Sequence, residues 1–208
     1  YGVRVPDVRR AVKTLLRAEH PDHDAALALA DALWGEVVDG RAVHELRLAA
    51  VEVLMASPHL VAPADLPWIE THLRECHTWA LVDPLAGAVV AALAVRQPDA
   101  TLPVLDRWLN DRDFWIRRSA VLAVRGLLAE GREHARFYRY CATLLPERPF
   151  TLASLAAFCR RRVAEQGYAL VCVAEGAHEA GAGETLQAGS QRLGGIGQAL
   201  TERLEPLL

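Results

Sequence analysis

The 208-residue chain is 52% apolar with a formal net charge of −3, so it carries enough greasy surface for a real core and is neither a disordered polyampholyte nor a generic polyanion binder. Its length suits one domain of ordinary size, or one domain plus a fragment. No apolar run is expected to reach the roughly 18–20 residues of a membrane helix, and no signal peptide is evident.

Taken in order, residues 1–145 read as helix after helix. Pro6 suits the first helical turn before VRRAVKTLLRA. DHDAALALADALW follows, with Asp22 or Asp24 as its cap. Next come AVHELRLAAVEVLM, ADLPWIETHLREC, HTWALVDPLAGAVVAALAV, ATLPVLDRWLND, DFWIRRSAVLAVRGLLAEG and REHARFYRYCATLL. Apolar residues recur at three- and four-residue steps in most of them, and short connections carry Pro, Gly and Asp. LRLAAVEVL (46–54) echoes IRRSAVLAV (116–124) without gaps at an offset of 70. Two steps of about 35 residues fit stacked helix pairs, each too small to bury its apolar face alone. Ala49, Ala50, Ser119 and Ala120 are small enough to let such helices approach closely. The expected fold is mainly α, a helical-repeat solenoid whose concave side is the default binding surface.

Beyond residue 145 the pattern changes. PFTLASLAAFCRRRVAEQ reads as an amphipathic helix, and Tyr168–Ala174 as the one strand of the chain. AGAGETLQAGSQ reads as a small-residue loop and RLGGIGQALTERLEPLL as a final helix. A lone strand needs a partner for its backbone groups, so 146–208 reads as a small α/β-like tail. GGIG at 194–197 lacks the strand and Lys of a phosphate loop and reads as a helix start.

Cys76, Cys141, Cys159 and Cys172 are scattered without a CxxC pair, which points to reduced thiols and a cytoplasmic setting. The eight His form no HxxxH pair, so neither metal nor cofactor is expected. Because the chain starts at Tyr1, it is expected to be a fragment lacking an N-terminal element.

Trp79 and Asp83, four positions apart, share one face of a helix a turn apart. Pro84 complicates that helix. It cannot donate to the Ala80 carbonyl and disfavours helical geometry at Asp83. Either the helix kinks there, or Asp83 caps a new helix beginning at Pro84 and spends its carboxylate on backbone amides. Trp79 taken alone is a core residue by type.

YGVRVPDVRR, LW at 33–34, HELRLAAVEVL, CHTWALVDPLA and DFWIRRSAVL together resemble DNA alkylation-repair glycosylases of the AlkD type over about residues 1–145. The resemblance implies a HEAT-like solenoid that excises cationic N3- and N7-alkylpurines from double-stranded DNA, as a monomer without metal or cofactor. Trp79 and Asp83 match that family's catalytic Trp and Asp, and Arg118 its DNA-contacting Arg. Arg118 can equally brace a neighbouring repeat through an acid, and Arg117 competes with it for a phosphate. Arg132, Arg136 and Arg139, read at helical spacing, form either a phosphate-facing strip or a solvated helix face. Trp34, Trp68, Trp108 and Trp115 read as packing residues. A further repeat carrying a second lesion-facing aromatic is absent, since PERPFTLASLAAFCRRR stands in its place. Residues 146–208 resemble an internal portion of 6-phosphofructokinases, with Glu175 matching a sugar-phosphate Glu, but lack that family's nucleotide and catalytic segments. Two functions therefore compete: a DNA glycosylase, or a catalytically inactive helical module that binds DNA or protein.

Overall fold

The structure, a computed structural model, describes residues 2–144, so the strand and α/β character expected of the tail lie outside the described residues. The chain divides into two units, Tyr1–Arg132 and Glu133–Leu208. In the first, α1 (Val5–Glu19) and α2 (His23–Gly35) lead into a short hairpin, β1 (Val37–Val38) and β2 (Arg41–Ala42). Then follow α3 (His44–Ala56), a single 3-10 turn (Pro63–Asp65), α4 (Leu66–Glu75) and α5 (Trp79–Pro84). A π-helical stretch (Leu85–Val90) joins α5 to α6 (Ala91–Arg96), after which come α7 (Pro98–Leu109) and α8 (Phe114–Ala129). In the second unit, α9 spans His134–Leu144.

The helices start where local chemistry starts them. Pro6 lies in the first turn of α1. Asp22, not Asp24, caps α2 by accepting from the Ala25 N–H at 2.9 Å, and Asp113 caps α8 through the Trp115 N–H at 2.8 Å. The hairpin was not anticipated, although its signal is present. Asp39–Gly40 takes up positive φ at both turn positions, 51° and 73°, as a tight two-residue turn demands.

Among the described residues the fold is mostly helical with one small two-stranded hairpin, and the helix pairs of the first unit stack in sequence as in a solenoid. Within the first unit α3 packs on α1 and α2, the α5–α6 run packs on both α3 and α8, and α8 packs on α4 and α7. The small residues work as expected: Ala49, Ala50, Ser119 and Ala120 are all buried where helices meet. The register is regular. Arg118 bonds Asp83 across a 35-residue offset. Leu122 of α8 lies over Gly87, and Gly126 over Ala91, at the same offset. A Cβ added at Gly126 would stand 3.0 Å from the Ala91 carbonyl oxygen, so the absence of a side chain is what permits that approach.

A second ladder ties the other helices of the pairs together. The Trp68 indole donates to Asp31 at 3.1 Å and the Trp108 indole to Glu70 at 2.7 Å, each reaching back to the α-helix one pair earlier. Trp34 donates to Glu75 at 2.8 Å. These tryptophans are packing residues, as expected, but each also satisfies its one polar atom on a neighbouring acid.

Trp79–Arg96 forms 18 residues of continuous helical chain with mean hydropathy 1.6, long and apolar enough by composition to cross a membrane. This corrects the expectation that no segment reaches that length. The physical reason is that scattered polar residues do not lower the average enough. Val82, Leu85, Ala86, Val89, Val90, Leu93 and Ala94 are buried, so the run reads as a core helix between α3 and α8.

Candidate active site

The site begins with a cap. Thr78, in extended conformation, accepts from the Ala80 N–H at 3.3 Å and starts α5 at Trp79. Trp79 is 58% exposed, the most exposed large apolar side chain among the described residues. That overrides its type-based reading as core. A single exposed apolar side chain is ordinary on a protein surface, so the exposure by itself assigns no role; it leaves the indole accessible, a helical turn from Asp83.

Pro84 lies inside the helical run and does not open a new helix. The chain accommodates the missing N–H by widening into the π-helical stretch directly after it. Asp83 is therefore not an N-cap. Its carboxylate accepts instead from Arg118, Nε to Oδ1 at 2.8 Å and Nη2 to Oδ2 at 2.7 Å, a side-on bidentate pair. Asp83 keeps 32% of its side chain exposed, whereas Arg118 keeps 11%.

The other candidate cations are placed differently. Arg117 points along the loop before α8, donating to the carbonyls of Asp111 at 2.8 Å and Arg112 at 2.9 Å. Arg132 precedes α9 and pairs with Glu130 at 2.9 Å, so the helical spacing expected for Arg132, Arg136 and Arg139 is not realised. The chain is still turning at Gly131, which has φ of 76°. Arg136 and Arg139 do sit on α9, Arg136 bonding Glu133 at 2.7 Å and Arg139 lying 5.8 Å from the centre of the Tyr140 ring.

Sequence reasoning missed an acid–base joint between α4, α7 and the loop before α8. Arg74 forks onto Asp111 at 3.0 and 2.6 Å and reaches Glu70 at 2.6 Å, while Arg107 also bonds Glu70 at 2.7 Å. The Arg74 guanidinium holds the Asp111 carboxyl down at about 2 and is itself pushed further towards its charged form. At Glu70, burial opposes ionisation, but donation from Arg74, Trp108 and Arg107 outweighs it and the carboxyl falls below its ordinary value. The signal was the recurrence of acids and bases about one repeat apart, visible only once the register is known.

Among the described residues no group of three or more His, Cys, Asp or Glu is arranged to hold a metal ion. Cys76 and Cys141 are both buried, and burial pushes the Cys76 thiol up to about 12.

A family model described as DNA alkylation repair enzyme matches residues 1–153. The chain belongs to that family. This DNA alkylation repair protein therefore has DNA as its substrate and alkylated bases as the damage it addresses. No curated protein matches the chain. The family match runs a few residues past 145, and the comparisons lend no support to a phosphofructokinase origin for the tail.

Proposed function

We propose that this repair protein is a HEAT-like, monofunctional DNA glycosylase that hydrolyses the N-glycosidic bond of cationic N3- and N7-alkylpurines in double-stranded DNA. It would do so as a cytoplasmic monomer without a metal or cofactor. The observation that carries this reading is the Asp83 carboxylate, left open on one side, oriented by Arg118 on the other, and one helical turn from an exposed indole.

An alkylpurine cation is already a good leaving group. As its C1′–N bond breaks, the base departs neutral and positive charge passes to the sugar, giving an oxocarbenium-like transition state. Water then adds to C1′ and surrenders a proton, leaving free base and an abasic sugar. The protein must supply a fixed anion, not a strong nucleophile. A carboxylate about 4 Å from a unit charge at an effective dielectric near 20 interacts by roughly 4 kcal/mol. About 1.4 kcal/mol expressed only in the transition state is tenfold in rate. Because Asp83 is paired with Arg118, its field is that of a dipole and decays faster than that of a lone ion. Its free lone pairs must therefore approach the sugar closely, where they can also orient the water. Trp79 offers a π face to the cationic sugar or base.

The competing reading is a catalytically inactive DNA- or protein-binding module, favoured by both Asp83 oxygens already having a partner in Arg118. Release of 7-methylguanine and 3-methyladenine from methylated duplex DNA separates the two. The glycosylase reading expects release by wild type and its loss in Asp83→Asn, with helicity unchanged by circular dichroism. Equal release, or none, from both proteins refutes it.

A further inference from the structure

The cation that sequence resemblance assigns to DNA faces the wrong way for that task. Arg118 uses the Nε–Nη2 edge of its guanidinium on Asp83 and is the more buried member of the pair, 11% exposed against 32%. Anything approaching from solvent therefore meets the carboxylate before the guanidinium. Its location is imposed by helix stacking: Arg118, Leu122 and Gly126 form one stripe of α8, which faces Asp83, Gly87 and Ala91 at a constant offset of 35 residues. A Cβ added at Gly87 would meet Arg125 at 3.5 Å and Leu122 at 3.8 Å, ordinary contact distances, so α8 packs directly over the stretch that follows Asp83.

The opposite helix gives the pairing a purpose. Asp83 sits between a proline that donates no hydrogen bond and a π-helical stretch, so the main chain around it has lost part of its regular bonding. A short Asp side chain there has two torsions to fix. A bidentate fork from a neighbouring, firmly packed helix fixes both, and leaves about two of the carboxylate's four lone-pair sites open on the exposed side.

We infer that Arg118 is a positioning residue, which holds the Asp83 carboxylate in its working orientation, and is not a ligand for a DNA phosphate. This rests on the glycosylase reading above.

The test uses the full chain with Arg118→Ala and Arg118→Lys, and two measurements. Binding of undamaged duplex is followed by fluorescence anisotropy across a salt series. The rate constant of 7-methylguanine release is followed under single-turnover, saturating conditions. A positioning role expects both variants to keep the wild-type Kd and salt slope. Arg118→Ala should lose about a hundredfold in the saturated rate, the scale of an approximately 1 Å misplacement. Arg118→Lys, a point charge without the fork, should fall in between, and added guanidinium ion should restore part of the Ala variant's rate. A phosphate ligand expects weaker binding, a salt slope reduced by about one, and an unchanged saturated rate, which overturns the inference. So does a saturated rate equal to wild type in both variants. If the Ala variant does not fold, the Lys variant decides by the same split between rate and binding. A wild type that binds duplex and releases no base refutes the glycosylase reading itself, a result distinct from any difference between wild type and variants.

Discussion

Glu70→Ala should loosen the joint that holds α4 against α7 and the loop before α8. Glu70 accepts three hydrogen bonds, from Arg74, Arg107 and the indole of fully buried Trp108. The indole is the costly loss, because a buried donor left without a partner forfeits about 1–3 kcal/mol. Arg74 retains Asp111 and is 38% exposed, and Arg107 is 61% exposed, so each adds only about 0–1 kcal/mol after solvent screening. The expected destabilisation is about 2–4 kcal/mol, or roughly 5–15 °C in Tm for a chain of this size. Urea denaturation followed by circular dichroism measures the first figure and differential scanning calorimetry the second. Glu70→Gln separates the contributions, since its amide oxygen can still accept from Trp108 while its charge is gone. It should recover more than half of the loss. A cost below about 1 kcal/mol for Ala, or an equal cost for Gln and Ala, would refute the buried-donor argument. The same joint sets the acid sensitivity of the fold. Glu70 and Asp111 have folded pKa values below their ordinary ones. Their stabilisation is therefore present above the ordinary carboxylate range and lost as pH falls below it, for Asp111 as pH falls towards about 2. Arg74→Ala should flatten that acid limb.

Gly126→Ala should destabilise the protein by about 1–3 kcal/mol, because the new methyl meets the Ala91 carbonyl oxygen at 3.0 Å, whereas Gly87→Ala has ordinary contact room at 3.5 Å; paired denaturation curves give the comparison. His23 bonds Asp24 at 2.7 Å and Asp65 at 3.0 Å, and these acids raise its pKa. Its contribution is therefore full below about pH 6.5 and fades as pH rises through the raised value. A pH titration of its ring resonances by NMR should show the upward shift, and Asp65→Asn should diminish it. Thr101 is fully buried and its Oγ1 has no hydrogen-bond partner among the described residues. Thr101→Val should leave stability unchanged or raise it by about 1 kcal/mol, and a lower urea midpoint would contradict that.

The helices of residues 2–144 were legible because their causes are local. Apolar spacing, the Asp22 and Asp113 caps and the punctuation by Pro and Gly act within a few residues. The echo of 46–54 in 116–124 was legible for the same reason, since a repeated structural problem has a repeated local solution. Trp79 and Asp83 stand out as candidates through their spacing and the family resemblance. Their partner's orientation was not. Arg118 lies 35 residues from Asp83, and whether an arginine turns outwards to a phosphate or inwards to an acid depends on what the neighbouring helix presents at that height. Pro84 shows the same division. The sequence demands that a backbone bond be lost there, but only packing between α3 and α8 decides that the chain widens and continues instead of ending. Composition and periodicity thus determined which segments are helical and where they begin. Tertiary stacking decided which charges meet, because the energy of an ion pair depends on distance and burial, and neither exists until helices far apart in the chain are brought side by side.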